Sequence, residues 1–183
     1  MKLRRLPRDK RGVSAVEFAL LLPVMLTLYL GGIEVTQAIT IKRKTTIVTR
    51  TLGDFVAQSS TISNTQMTNI MNATKAVVSP YAQSKLKIVV TSIGIDAGGN
   101  ATVVWSDATA NATAHTAGTT VVLPDGLSAY TNTTVIWTEA NYTYTPPVGY
   151  LITGNMVMKD HMYMRPRLVS RVCRDKGVGA PVC

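Results

Sequence analysis

Between Val13 and Ile33 the chain reads VSAVEFALLLPVMLTLYLGGI, twenty-one residues with a single ionisable group, Glu17. As a helix rising about 1.5 Å per residue, this run spans about 32 Å, enough to cross a hydrocarbon layer of ~30 Å. Six basic residues precede it, Lys2, Arg4, Arg5, Arg8, Lys10 and Arg11, and three follow at Lys42, Arg43 and Lys44. The heavier cluster lies ahead of the run, so the positive-inside bias places the N-terminus in the cytoplasm and everything beyond about Thr40 outside. Two plainer readings compete. A cleaved secretory signal has the same general form, but its apolar core is usually about 7–15 residues long. No A-x-A site closes this run, and Thr36-Gln37-Ala38 is the nearest approximation. An uncleaved signal anchor is harder to set aside, and Glu17 is the residue it explains least. A carboxylate near the middle of a span costs about 2.5 kcal/mol or more, less towards the ends, and marks a functional candidate by default.

Around Glu17 the residues are Arg11-Gly12-Val13-Ser14-Ala15-Val16-Glu17-Phe18-Ala19-Leu20. A glycine follows a basic leader, a glutamate stands five positions on, and an aromatic residue opens the apolar run. This resembles the processing site of type IV pilins. The wider stretch R-G-V-S-A-V-E-F-A-L-L-L-P most resembles the TadE-like minor pseudopilins of the tight-adherence (Flp) pilus system. Gly32, Glu34 and the segment Arg50 to Gln58 extend the likeness less specifically, so that it covers about the first third of the chain.

The resemblance implies a sequence of events that suits these residues. A membrane aspartyl prepilin peptidase would cut between Gly12 and Val13, glycine suiting an extended, closely approached backbone at the scissile bond. The charged leader leaves, and Val13 gains an α-amine. In an assembly, Glu17 of one subunit is expected to face the α-amine of a neighbour, each charge offsetting the other's burial. Glu17 and Phe18 are then the docking residues. The implied partners are the prepilin peptidase, a sister pseudopilin and the platform proteins, with the major pilin as a further candidate. The implied location is the bacterial inner (cytoplasmic) membrane, with the head in the periplasm. Pro23 falls inside the helix, where it removes a hydrogen bond and favours a kink.

Past the membrane the helical pattern continues. Ile41, Thr45, Val48, Leu52 and Phe55 recur every three to four residues beside Arg43, Lys44 and Arg50, which predicts an amphipathic stem. The run Ser59 to Asn64 interrupts it, with Ser63 or Asn64 available as a cap. A second helix is expected from about Thr65 to Val78, ending before Pro80. Beyond Lys85 the texture becomes β. Leu86–Ile95 and Ala101–Ser106 flank the loop Asp96-Ala97-Gly98-Gly99-Asn100 in a hairpin pattern. Further strands are expected near Thr119–Leu123, Thr133–Ala140 and Val157–Met164. Trp105 and Trp137 are expected in the core, and Tyr142, Tyr144 and Pro146-Pro147 resemble an edge strand running into a turn.

The fold class is therefore α+β and pilin-like: a long N-terminal transmembrane and amphipathic helix, and a second helix packed on a small antiparallel sheet. The expected divisions are a leader at 1–12, a span at 13–33, a stem at 34–58 and an α+β head at 65–183.

Charge and motifs narrow the function. The net charge of +9 suggests a nucleic-acid partner until it is mapped. Six of the positive charges sit in the leader, and no Lys or Arg occurs between Lys87 and Lys159, so most of the head has no basic face to follow a phosphate backbone. Charged residues are only 16% of the chain, against about one quarter in an ordinary soluble domain, which points to a membrane or a secreted surface. Five N-x-[ST] sequons, at Asn72, Asn100, Asn111, Asn132 and Asn141, are read as products of an Asn- and Thr-rich composition.

The sequence carries no G-x-S-x-G, P-loop or dinucleotide fingerprint. His115 lies in a polar loop, and Asp160-His161 reads as surface polarity. No enzyme, cofactor or metal is expected. Cys173 and Cys183 could pair in an oxidising compartment or stay as free thiols, and they lack the further ligands of a zinc site. Arg165-Pro166-Arg167 could cap the head or meet a partner, and a solvated basic tail is the plainer reading. The competing functional reading is a single-pass anchored adhesion or binding module that is not processed as a pilin.

Overall fold

A computed structural model of the chain describes residues 11–147 and 154–183. The expected leader lies, for residues 1–10, outside the described residues. The elements in chain order are α1 (Arg11–Ala57), β1 (Thr61–Ile62), α2 (Asn64–Ala76), β2 (Leu86–Ile95), β3 (Ala101–Ala108), β4 (Thr133–Tyr144), β5 (Met156–Met164) and β6 (Cys173–Arg174).

Helix α1 is one continuous element that carries Pro23 inside it. The threonines of its lower half are satisfied by the helix itself. Thr27, Thr36 and Thr40 each donate a hydroxyl to the carbonyl four residues earlier, at 2.8–2.9 Å. Such bonding removes the cost of a bare hydroxyl in an apolar medium. The helix changes character along its length. Residues 12–40 are exposed or half-buried, and full burial begins at Ile41.

From there Ile41, Thr45, Val48, Leu52 and Val56 form the buried row. Phe55, expected in that row, is 43% exposed and Val56 takes its place. At about 100° per residue the buried row centres on Leu52, with Val56 about 40° to one side of it and Phe55 about 60° to the other, where it leaves the head. Gly53 lets β5 approach closely, because a Cβ there would come within 2.8 Å of the Met164 sulfur.

Helix α2 begins with a capping box. Gln66 N–H donates to the Ser63 hydroxyl, and Ser63 N–H donates to the Gln66 side chain. Met67, Met71 and Thr74 face inward. Lys44 of α1 closes the other end, its Nζ donating to the carbonyls of Val77 at 3.1 Å and Ser79 at 2.6 Å. That cation therefore ties the two helices together.

The sheet is antiparallel in the order β3-β2-β4-β5. Its inner face packs on α1 and α2 around Ile88, Val90, Trp105, Ile136, Ala140 and Tyr142. The fold is thus a long apolar helix, a second helix and a four-stranded antiparallel sheet laid against the helical stem, α+β and pilin-like.

Three expectations are corrected here. Strand β4 is interior, between β2 and β5, so Tyr142 and Tyr144 do not lie on an edge. Segment Thr119–Leu123 is not a strand but a single bridge, Thr102 to Thr120, on the free side of β3. It makes three backbone bonds there, from Gly118 N, Val103 N and Val121 N, before Pro124, which has no N–H to offer. Trp105 is in the core as expected, its indole N–H donating to the Val172 carbonyl at 2.9 Å. Trp137 lies on the opposite face, half-buried, beside a smaller cluster of Ile93, Ile95, Ala101 and Val135.

Candidate functional site

The residues singled out for processing and docking lie together at the start of α1. Gly12, Val13, Glu17 and Phe18 are all exposed. Glu17 stands four residues beyond Val13, just over one helical turn, so the two share a face. The Gly12–Val13 bond lies within the helix and not in extended backbone, so a peptidase must unwind it locally to reach it. Among the described residues, no atom from outside the helix lies within 4 Å of a Cβ built on Gly12.

The span that follows is long and apolar enough to cross a membrane, and none of its apolar window is buried by the rest of the protein. Leu20 is 70% exposed and Leu28 is 72% exposed. One long apolar N-terminal helix of this kind is what a single-pass anchor requires.

At the other end of the stem, polar contacts join α1 to the head. Thr138 donates to the Thr49 carbonyl at 3.0 Å. Lys42 bonds the Lys159 carbonyl and lies 3.9 Å from Asp160. Arg167 pairs with Asp54, and its N–H donates to the Ala57 carbonyl at 2.8 Å. Arg165 stacks over the Tyr130 ring at 4.1 Å. The Arg165-Pro166-Arg167 segment, read as a solvated tail, therefore closes the end of α1.

The C-terminal strand is held by a buried cation. Arg174 is 4% exposed, donates from Nε to Asp107 at 2.7 Å, and bonds the Ile62 carbonyl and Asn64 as well. It thereby joins β1, β3, β6 and the start of α2. These partners lie 67 to 112 residues away in sequence, and no local pattern announces them. Cys173 and Cys183 are joined in the structure, and Arg174 pairs with Val182 across the loop between them.

On the outer face of the sheet, His115 Nε2 meets Glu139 Oε2 at 2.6 Å and stacks on Trp137 at 4.6 Å. Tyr163 lies beside Trp137, its hydroxyl pushed to a higher pKa by burial and then by Glu139. This cluster pins the 109–132 loop onto the sheet, and no local pattern around His115 or Glu139 announces it. Asp160 engages Lys42, while His161 is exposed and meets Tyr163 edge-on. Among the described residues, no three His, Cys, Asp or Glu side chains gather as a metal site would need.

Fold and stem together define a pilin-like protein carried on a single apolar helix. Residues 12–51 match the model of the TadE-like protein family, so the chain carries a TadE-like domain there. The match starts at Gly12 and lies wholly within α1. The chain matches no curated protein and no solved structure.

Proposed function

We propose that this chain is a minor pseudopilin that takes part in building a tight-adherence (Flp) pilus. It would be processed after Gly12 and dock through its N-terminal helix. The observation that carries the reading is the TadE-like match beginning at Gly12, on a helix whose first half is apolar and exposed. In this reading residues 1–12 are the leader, 13–33 the span, 34–58 the stem and 65–183 the head. The N-terminus is cytoplasmic and the head periplasmic, in the bacterial inner membrane. That compartment is oxidising and suits a Cys173–Cys183 disulfide.

The role is assembly and not catalysis. Removal of the leader gives Val13 an α-amine on the same helix face as Glu17. A carboxylate in lipid is costly alone, and a neighbouring subunit's amine offsets that cost. The proposed partners are the prepilin peptidase, a sister pseudopilin, the platform proteins and the major pilin.

The test is Glu17→Ala in cells that make the pilus. Processing should continue, while pilus formation and co-isolation of a sister pseudopilin should fall. Normal pili in that strain would contradict the docking role of Glu17.

A further inference from the structure

The way the head is mounted on α1 fixes which of its ends faces the membrane. Tyr144, at the end of β4, donates its hydroxyl to Gln37 Oε1 at 3.0 Å. Further up the helix, Thr138 bonds Thr49, and Arg167 bonds Ala57. Descending α1 towards the apolar run is therefore the same as moving along β4 towards Tyr144. Gln37 lies four residues beyond Ile33, about 6 Å along the helix axis. The headgroup layer on each side of a bilayer is about 5–8 Å deep. With Val13–Ile33 filling the hydrocarbon, this end of the head stands at the level of the headgroups.

That end is polar and basic. Strand β2 starts there, with Leu86 paired to Tyr142, directly after the 3-10 turn Gln83–Lys85. Lys85 is exposed and reaches Thr145 Oγ1 at 3.2 Å, and Lys87 is exposed one alternation further along β2. Neighbouring carboxylates are engaged elsewhere, Asp107 by Arg174 and Asp160 by Lys42. Glu34 on α1 faces Tyr144, whose hydroxyl is pushed to a higher pKa first by burial and then by that carboxylate. The far end of the sheet, at the Asp96–Asn100 turn, carries Asp96 and the exposed Arg165 and Arg171, so it is nearness to the apolar run, and not basic charge alone, that sets the Lys85 end apart.

We infer that the turn Gln83–Lys85 and the start of β2 form a lipid-facing surface, with Lys85 contacting the phosphates of anionic phospholipids in the outward leaflet and Lys87, opposite Asn141 and about 10 Å further up than Tyr144, adding its charge to the attraction. The head then lies on the bilayer instead of standing free of it. Long lysine side chains suit this, because they reach a phosphate layer within a Debye length of about 8 Å. The inference rests on Val13–Ile33 spanning the membrane and does not depend on cleavage after Gly12.

The experiment uses the full chain in nanodiscs of phosphatidylcholine alone, or of phosphatidylcholine mixed with phosphatidylglycerol. Benzoylphenylalanine replaces Gln83 in one variant and Ala97, at the far turn, in another. After irradiation, intact mass should show lipid adducts at position 83, severalfold more in the anionic discs, and none at 97. Adding Lys85→Glu and Lys87→Glu should remove the anionic enhancement and leave the melting of the head unchanged. An incorporated chain with no lipid adduct at 83, or with equal yields at 83 and 97, overturns the inference and leaves the pseudopilin reading intact. A chain that does not enter the discs removes the span, and the inference with it.

Discussion

Leu28 and Leu52 stand on the same helix, one 72% exposed and the other wholly buried. The lower half of α1 presents large apolar side chains all round and touches little else of the protein. The upper half sorts its residues, with Ile41, Val48, Leu52 and Val56 against the head and Arg43, Ile47 and Arg50 outside. A helix that is apolar on every side needs an apolar solvent, whereas an amphipathic one needs a partner on one face and water on the other. The change falls between about Ile33 and Ile41. One element thus has the length and apolar surface of a membrane span below and serves as core helix above.

The sharpest way to break that comparison is to disturb the buried contacts that only the upper half and the head share. Arg174→Ala should destabilise the head most, by about 3–5 kcal/mol, because Asp107 would keep a half-buried charge without its partner. Urea unfolding in detergent, followed by Trp105 fluorescence, reads this directly, since Trp105 bonds the carbonyl next to Cys173. An unchanged midpoint would show that the Arg174 cluster is not what holds β6.

Leu52→Ala should cost about 2–5 kcal/mol by leaving a cavity in a close-packed site. Leu21→Ala, 59% exposed on the lower half, should leave the same midpoint where it was. Equal losses from the two substitutions would mean that the halves do not differ as described.

Ser63→Ala removes the capping hydroxyl of α2 and should cost about 1 kcal/mol. The smallest effect concerns pH. Asp96 is held below its ordinary pKa of 3.8, first by the Asn100 side chain and then by backbone N–H groups of the turn. A lowered folded pKa stabilises above the ordinary value, and that contribution disappears as pH falls through the folded value. Asp96→Asn should therefore lower the melting temperature slightly at neutral pH, and the difference should close as pH falls through the folded value.

What could be read from the sequence was local. Twenty-one apolar residues from Val13, the Met67/Met71 spacing of α2 and the alternation of Leu86–Ile95 each carry their period within a few residues, and each became the expected element. Misreadings occurred where tertiary position decides. Phe55 has the right spacing for the stripe but lies off its line as the helix ends. Tyr142 and Tyr144 precede two prolines, which suggests an edge, yet β5 pairs outside them. The strand-like Thr119–Leu123 borders β3 without joining the sheet for more than one bridge.

The charged residues were least legible. Lys44 as a cap on α2, Arg167 on Asp54, Arg174 on Asp107 and His115 on Glu139 join residues 24 to 113 positions apart. A sequence shows such groups as isolated charges, and only the fold supplies their partners. At the start of α1 the reverse holds. Gly12, Val13, Glu17 and Phe18 lie within seven residues, so their spacing was visible before any fold was known.

The central claim is that the lower half of α1 is kept as an anchor after its leader is removed. Intact-mass measurement of protein extracted from membranes tests it most directly. A chain beginning at Val13 is the expected result. A chain beginning at Met1 would contradict processing, and one beginning near Ile39 would show that the apolar run is a discarded signal and not an anchor.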